Sequence, residues 1–254
     1  MQSRFDARQQ WPKCKSIGYI RDQSKCNSSW AISAASAMGD RLCIIANGSI
    51  NVHISDTDIF TCCGEKCGDG CNGGNPIEAW NFVIEHGAVT GGRYFEIETC
   101  RPYPFHPCGK VGQIDYGQCP EEGYETPKCR KSCVQNYLVD YLKDKHHGLS
   151  AYTVDKDEKE IRREIMANGP VQATFLVYSD FKNYTSGIYR HVRGELEGSQ
   201  SVKIIGWGSE DGTDFWLLAN SRGETWGEKG YFRMVRGGNA CGLEEHVVAG
   251  QMKD

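Results

Sequence analysis

Residues 23–31 read Gln-Ser-Lys-Cys-Asn-Ser-Ser-Trp-Ala, and this stretch decides how the first half of the chain is interpreted. Small and apolar side chains follow at helical spacing as far as Leu42, which predicts a helix over about 28–42. Ser28 or Ser29 can cap its first turn, because a serine hydroxyl accepts hydrogen bonds from free backbone N–H groups there. The stretch therefore places a polar turn and a cysteine at the start of a long helix.

Capping residues mark two further helices, and strands follow them. Asn75, Pro76 and Gly87 delimit a helix over about 75–87, and a third covers about 156–167 before Gly169-Pro170. Later segments are short, β-branched or aromatic, and bounded by glycine-rich turns; they lie at 171–178, 201–206, 215–219, 231–235 and 247–249. Helices that precede strands indicate an α+β architecture with two lobes.

Size and charge exclude several classes of protein. The 254 residues allow one large domain or two lobes that share an interface. The net charge of −4 gives no basic patch for nucleic acid. No apolar run reaches the roughly 18 residues of a membrane span. The polar start contains no signal peptide or pro-segment. A secreted protein that lacks both segments would have the same start.

Thirteen cysteines give the best indication of compartment. Twelve of them lie between Cys14 and Cys133, and Cys241 stands alone. Such crowding favours disulfides formed in an oxidising compartment, so we predict a secreted or endolysosomal protein. A zinc site is the alternative, with four candidate ligands at Cys62, Cys63, Cys67 and Cys71. Clean Cys-x-x-Cys pairs are missing, so we expect no metal and no other cofactor.

Many separated motifs together resemble the papain family of cysteine peptidases, and within it the cathepsin B branch. They are Phe5-Asp-Ala-Arg8, Thr61-Cys-Cys-Gly64, Cys67-Gly-Asp-Gly-Cys-Asn-Gly-Gly74, Ala79-Trp-Asn-Phe82, Cys100-Arg-Pro-Tyr103, Val177-Tyr-Ser-Asp-Phe181 and Cys241-Gly242. The resemblance implies one papain-like domain over 1–254 with two lobes and a cleft between them. A helical, disulfide-rich lobe would cover about 12–110, and a β-barrel-like lobe about 111–254 plus an N-terminal strand. The segment 108–119 resembles the occluding loop of that branch; it is called the insert below.

The same resemblance implies how the cysteines pair. The implied bonds are Cys14–Cys43, Cys26–Cys71, Cys62–Cys129, Cys63–Cys67, Cys100–Cys133 and Cys108–Cys119, and Cys241 would stay unpaired. Each bond of this kind stabilises a fold by roughly 2–4 kcal/mol. The family's structural cysteines are therefore all retained.

The reactive residues of the family are replaced. The stretch 23–31 resembles Q-G-x-C-G-S-C-W, with Ser29 where the nucleophilic cysteine is expected. The family's G-H-A resembles Ser199-Gln200-Ser201, so Gln200 stands where the histidine is expected. A serine hydroxyl needs a base within hydrogen-bonding reach, and a carboxamide cannot accept its proton. Gln23 and Asn220 resemble the oxyanion-hole glutamine and the residue that orients the histidine, and the resemblance implies that both are retained with nothing to assist.

Further differences from the family surround these positions. Ser24 and Asn27 replace glycines, Arg222 replaces a tryptophan, and Lys110-Val111 replaces a histidine pair. A designed Cys→Ser replacement would account for Ser29 alone, so the concurrent differences favour natural loss of activity. None of the chain's seven histidines is placed by the sequence to act as a substitute base.

The resemblance also implies which residues line a peptide cleft. Gly73 and Gly74 would offer backbone hydrogen bonds, and Gly198, His246 and Lys110 would complete the cleft. His246 stands where the branch has an acidic residue at the base of a specificity pocket. Possible N-glycosylation sites are Asn27, Asn47 and Asn183, and a glycan on Asn27 would lie in the cleft.

We therefore predict an inactive homologue whose cleft binds a peptide or protein, such as a protease inhibitor or a host protein, in a decoy or regulatory role. Two alternatives stay open. One is a weak peptidase that uses Ser29 with an unforeseen base. The other is a structural or storage protein with a vestigial cleft, which would tolerate bulky residues at Gly73 and Gly74.

Overall fold

The computed structural model of the chain describes residues 2–253 and contains five α-helices. They are α1 (Ala7–Gln10), α2 (Ser29–Ile45), α3 (Asp56–Cys62), α4 (Pro76–His86) and α5 (Glu158–Asn168). Short 3₁₀ turns cover Lys15–Gly18, Gly64–Lys66, Gly70–Asn72, Ser179–Asn183 and Ala240–Glu245. All three predicted helices are present, and the two short helices α1 and α3 were not predicted.

Capping at α4 follows the sequence prediction, whereas capping at α2 does not. The Asn75 side chain accepts a hydrogen bond from the Ile77 N–H, and Gly87 ends the helix with a positive φ. Ser28 occupies the N-cap position of α2 but makes no capping bond there. Its hydroxyl lies 2.7 Å from the Tyr103 hydroxyl instead. The serine is therefore taken up by a tertiary contact, and the predicted side-chain cap is wrong.

Ten strands form the β structure. They are β1 (Phe5–Asp6), β2 (Lys110–Val111), β3 (Ile114–Asp115), β4 (Gly148–Thr153), β5 (Val171–Tyr178), β6 (Ile188–Tyr189), β7 (Leu196–Glu210), β8 (Thr213–Ala219), β9 (Tyr231–Val235) and β10 (Val247–Met252). Eight belong to one mixed sheet in the order β4-β10-β5-β7-β8-β9-β6, with β1 paired to β7. Only β6 and β9 run parallel among the described pairs, and β2 and β3 form a separate hairpin within the insert. The predicted α+β class is confirmed.

Two hydrophobic cores lie on either side of α2. One fills the space between the sheet, α5 and the N-terminal segment, and its largest side chains are Trp207, Trp216, Phe175 and Phe232. The other packs α2 against α3 and α4 around Trp30, Met38, Phe60 and Trp80. Because α2 also contacts β5, β7 and β10, its first turn lies where the helical part of the molecule meets the sheet.

The disulfides tie the helical part of the molecule together. All six pairs implied by the family resemblance are formed, and the four cysteines considered as zinc ligands are each in one of these bonds. Within residues 2–253, no cluster of three or more His, Cys, Asp or Glu side chains could hold a metal ion, and Cys241 is the free cysteine.

A buried ion pair connects α2 to the sheet. The Lys203 Nζ lies 2.6 Å from the Asp40 Oδ2, and the two side chains are 2% and 0% exposed. Lys203 also approaches the Ile17 carbonyl at 3.4 Å. Removing one partner of a buried pair leaves an unpaired charge in the interior, which costs far more than losing a surface pair.

His53 makes the stability of the fold sensitive to acid. Its ring stacks on Tyr19 at 3.8 Å between centroids. Burial first, and then the cations Arg21, Lys203 and Arg93, lower the pKa of His53 to about 3. The unfolded chain takes up a proton at this side chain near pH 6.5, whereas the folded chain does so only near pH 3. Acid therefore favours unfolding.

We expect the free energy of unfolding to decline as the pH falls from 6.5 toward 3, by at most ~1.4 kcal/mol per pH unit from His53. Urea denaturation at several pH values would compare the wild type with His53→Gln and with His86→Gln, an exposed control. The difference in free energy of unfolding between wild type and His53→Gln should become smaller as the pH falls. The difference between wild type and His86→Gln should not. Parallel curves for wild type and His53→Gln would contradict this assignment.

Candidate functional site

The segment that leads into α2 is fixed from two sides. The Cys26–Cys71 disulfide and a 2.8 Å bond from the Asn27 N–H to the Cys71 carbonyl hold it to the turn at 70–72. The Trp30 Nε1 donates to the Gly70 carbonyl at 3.0 Å. Ser29 is therefore held at the first position of α2, facing β7.

Ser29 is buried, with 7% of its surface exposed. Its Oγ accepts a hydrogen bond from the backbone N–H of Ser201 at 3.2 Å. Within residues 2–253, no side-chain base forms a hydrogen bond with this oxygen. This hydrogen bond holds the Ser29 hydroxyl against β7, with no base to receive its proton.

Four side chains form an amide cluster beside Ser29: Gln23, Gln200, Asn220 and Ser221. The Gln200 Nε2 lies 2.8 Å from the Gln23 Oε1, 3.0 Å from the Asn220 Oδ1 and 3.2 Å from the Ser221 Oγ. The Ser221 hydroxyl donates to the same Gln23 oxygen at 2.8 Å. All four residues are buried, and Gln200 is 5% exposed.

The amide groups in this cluster are directed inward. The Gln23 Nε2 donates to the Cys26 carbonyl at 3.0 Å, so both ends of that side chain bind groups of the protein itself. The Asn220 Oδ1 accepts from Gln200 and from the Ser221 N–H, while its Nδ2 is buried without a partner. The cluster is thus linked by internal hydrogen bonds and has no titratable member.

Within residues 2–253, no imidazole forms a hydrogen bond with the Ser29 Oγ. His191 pairs with Asp180 at 3.1 Å and stacks on Tyr178, and His106 bonds to Tyr124 at 3.1 Å. The other five are His53, His86, His146, His147 and His246. His146 is half-buried and pairs with Ala88 through the backbone, and burial lowers its pKa.

Ser24 connects this region to the insert. Its φ is +54°, a left-handed conformation that favours glycine. Its Oγ lies 3.3 Å from the Cys108 Sγ and 3.1 Å from the Cys119 Sγ, so the insert's disulfide rests against the residue next to Gln23. Lys110 on β2 is exposed and makes no ion pair within the described chain.

The predicted cleft glycines have different environments. A side chain at Gly74 would collide with the Trp30 ring, so packing alone requires glycine there. Gly73 and Gly198 face open space, with φ values of +118° and +149°. A larger residue at Gly74 would therefore be rejected whether or not the cleft binds a ligand. This corrects the expectation that substitutions at both Gly73 and Gly74 would distinguish a working cleft from a vestigial one.

The remaining predicted positions lie at the surface. His246 is exposed, and its carbonyl accepts from the N–H of Thr174, whose hydroxyl bonds to Ser201 at 2.8 Å. This chain of contacts connects His246 to Ser29 across two strands, β5 and β7. Asn27, Asn47 and Asn183 are all exposed, as glycan acceptors must be.

Two residues of the site were missed by the sequence interpretation. Ser221 completes the amide cluster, and the Tyr103 hydroxyl donates to the Gln23 carbonyl at 2.7 Å. Ser221 could have been suspected because it follows Asn220 directly. Tyr103 lies 80 residues from Gln23 in sequence, and no local pattern connects them.

The sequence as a whole matches the model of the papain family cysteine proteases over residues 1–251, and the chain belongs to that family. Within the family it is a cathepsin B-like member. It is 50% identical over 251 residues to "Cathepsin B-like cysteine proteinase 5" of Caenorhabditis elegans, covering 97% of this chain and 73% of that protein. It is 51% identical over 247 residues to "Cathepsin B-like cysteine proteinase 2" of Haemonchus contortus, covering 97% and 72%.

A solved structure shares the fold. "ProCathepsin B S9 from Trypanosoma congolense" superposes with a TM-score of 0.86 at 36% identity, covering 100% of this chain and 78% of that one. The papain-like fold predicted from the motifs is confirmed. No helix in the described residues is long and apolar enough to cross a membrane. The lobe boundaries near residues 110 and 111 stay a prediction.

Proposed function

We propose that this cathepsin B-like protein binds peptides or protein inhibitors in its interlobe cleft without hydrolysing them. One observation carries the proposal: the Ser29 Oγ accepts a hydrogen bond from the Ser201 N–H, and the neighbouring side chain is the carboxamide of Gln200. By resemblance to the family, these are the positions of the nucleophile and its base. The pair therefore lacks the proton transfer that attack on a peptide carbonyl requires.

The expected loss of rate is large. A serine hydroxyl does not ionise near neutral pH, and the amide nitrogen of Gln200 has no basic lone pair. In a serine protease, removal of the nucleophile or its histidine costs about 10⁶ in turnover, or ~8 kcal/mol of transition-state stabilisation. Binding and an oxyanion hole alone give roughly 10³–10⁴ over the reaction in water.

The amide cluster uses part of the hydrogen-bonding capacity on which that residual contribution depends. An oxyanion hole works by presenting free donors to the developing negative charge. The Gln23 Nε2 instead donates to the Cys26 carbonyl, and its Oε1 is held by Gln200 and Ser221. One of the two Gln23 N–H donors is therefore engaged, and the other has no partner within the described chain.

Binding without turnover suits a decoy for protease inhibitors or a regulatory partner of a host protein. Asn27 and Gly198 are exposed and Gly73 faces open space, which leaves room at the rim for an extended ligand. Six disulfides are typical of proteins that fold in an oxidising compartment, and we place the protein in the secreted or endolysosomal space.

The competing function is weak peptidase activity. Its support is that the similar nematode proteins are named cysteine proteinases. Those names apply to the relatives, and they do not describe the residues at positions 29 and 200 of this chain. In this chain such activity would need a base other than Gln200 to reach Ser29.

We expect a cystatin-type inhibitor to bind the wild type and to bind Asn27→Trp at least about tenfold more weakly, because the new ring would occupy the rim beside Ser29. Asn183→Trp is the matched control, since it also adds an exposed indole and also removes a sequon. Surface plasmon resonance with immobilised inhibitor measures both. Equal affinities for the two variants, or no binding by the wild type, would argue against an occupied cleft and favour the structural or storage alternative.

A further inference from the structure

A second groove lies on the helical part of the molecule, apart from Ser29 and the amide cluster. It encloses about 650 Å³, and its walls include Tyr94, Phe95, Ile97, Pro102, Lys128 and Arg130. We call it the 94–130 groove. Its volume is in the range of ligand pockets in proteins.

One wall exposes apolar side chains that a monomer would normally bury. Phe95 is 73% exposed and Ile97 is 57% exposed, and Tyr94 is exposed beside them. Three large apolar residues within four positions form a contiguous patch, and such patches mark interaction sites more often than scattered single residues do.

Phe95 is also held in an unfavourable conformation. Its φ is +67°, which a bulky residue rarely adopts, and its exposed ring gains no burial in return. Bonds on both sides fix the turn: the Tyr19 hydroxyl donates to Glu96 at 2.7 Å, and the Arg93 Nε donates to the Ile20 carbonyl at 2.7 Å. The protein therefore maintains an exposed aromatic ring at some energetic cost.

Another part of the groove lining is cationic. Lys128 and Arg130 are exposed, and neither forms an ion pair with any residue of the described chain. Arg101 at the base of the groove is paired with the buried Asp58 at 3.1 Å. No aspartate or glutamate lines the groove. The free charge facing an occupant is therefore positive.

Disulfides hold the cationic side of the groove in place. Cys129, which separates the two cations, is bonded to Cys62, and Cys133 in the groove wall is bonded to Cys100. A site held in place by two disulfides loses little conformational entropy when it binds a ligand.

We propose that the 94–130 groove is an exosite for an extended acidic segment of a protein partner. One apolar side chain of that segment packs between Phe95, Ile97 and Pro102, and its carboxylates pair with Lys128 and Arg130. Tyr103 lines the groove and also donates to the Gln23 carbonyl, but Phe95, Lys128 and Arg130, which carry this proposal, make no contact with the amide cluster.

Fluorescence anisotropy with a labelled peptide Glu-Asp-Phe-Asp-Glu-Leu tests the exosite on the full chain. We expect saturable binding that weakens with added salt. Binding should fall at least about tenfold for the neutral peptide Gln-Asn-Phe-Asn-Gln-Leu and for the Lys128→Glu/Arg130→Glu variant. Lys156→Glu/Lys159→Glu is the control with the same charge change at exposed lysines outside the groove, and it should change affinity less than about twofold.

Phe95→Gly separates binding from folding, since glycine accepts the positive φ without strain. We expect it to weaken peptide binding while its melting temperature stays at or above that of the wild type. Absence of binding up to about 1 mM peptide, or equal losses in the two charge-reversal variants, would overturn the proposal. Self-association of the wild type that Lys128→Glu/Arg130→Glu abolishes would also overturn it, because the occupant would then be a second copy of the chain.

Discussion

The double variant Ser29→Cys/Gln200→His is expected to raise kcat/KM on a dibasic fluorogenic peptide by at least about 10³-fold over the wild type, while each single change gains less than about tenfold. The two groups act as a unit, because a cysteine attacks as a thiolate that a neighbouring imidazolium stabilises. Ser29→Cys alone would place a thiol beside Gln200, and Gln200→His alone would leave an alcohol.

The pKa of the thiol introduced at position 29 is a second measurement on the same variants. The rate of iodoacetamide alkylation as a function of pH should report a thiol pKa well below about 8.5 in the double variant and near or above it in Ser29→Cys. Ser29→Cys/Gln200→Asn is the matched control, because it keeps an amide in place of a base. Comparable peptidase activity in that control would contradict the assignment of Gln200 as the position of the missing base.

A double variant that forms a thiolate but remains inactive would also be informative. The lack of activity would then be due to substrate binding rather than to proton transfer. The residues responsible would be Asn27, Arg222 or Gln23. Loss of inhibitor binding in the same variant would identify the cleft itself as closed.

The second large effect concerns stability. Asp40→Ala is expected to lower the free energy of unfolding by about 3–5 kcal/mol, because it leaves the Lys203 ammonium buried without its partner. The Lys203 Nζ lies 2.6 Å from the Asp40 Oδ2, and its other contact is the Ile17 carbonyl at 3.4 Å. Guanidinium denaturation of the disulfide-intact protein, followed by tryptophan fluorescence, measures the change.

Two comparisons make this prediction specific. Asp40→Leu/Lys203→Met should recover most of the loss, since it removes both charges and fills their space. Glu85→Ala, which breaks the exposed pair with Lys66, should cost no more than about 1 kcal/mol. A loss for Asp40→Ala as small as that for Glu85→Ala would show that the buried pair does not hold α2 to β7.

Local sequence signals explain which elements could be predicted. Asn75, Pro76 and Gly87 delimit α4 by their own backbone preferences, so its bounds follow from sequence to within a residue. Helix α3 has a capping residue in Ser55, but it buries Asp56 and Asp58, whose charge in the sequence indicates surface residues. Their partners are Arg21, Arg101 and Lys145, and only the folded chain brings these together.

In the candidate site, the sequence predicted which residues are present but not how their side chains are oriented. The family motifs identified Gln23, Ser29, Gln200 and Asn220, and the fold brings all four together. Sequence could not reveal that the Gln23 amide turns toward the Cys26 carbonyl. Nor could it reveal that Gly74 is required by the Trp30 ring, because both depend on contacts between segments that are distant in the chain.

Peptide hydrolysis by the purified wild type beside its Ser29→Ala variant tests the central claim most directly. We predict that both proteins release fluorophore at the same background rate, since the Ser29 hydroxyl has no base to receive its proton. A wild-type rate clearly above background that disappears in Ser29→Ala would contradict the account and establish Ser29 as a working nucleophile.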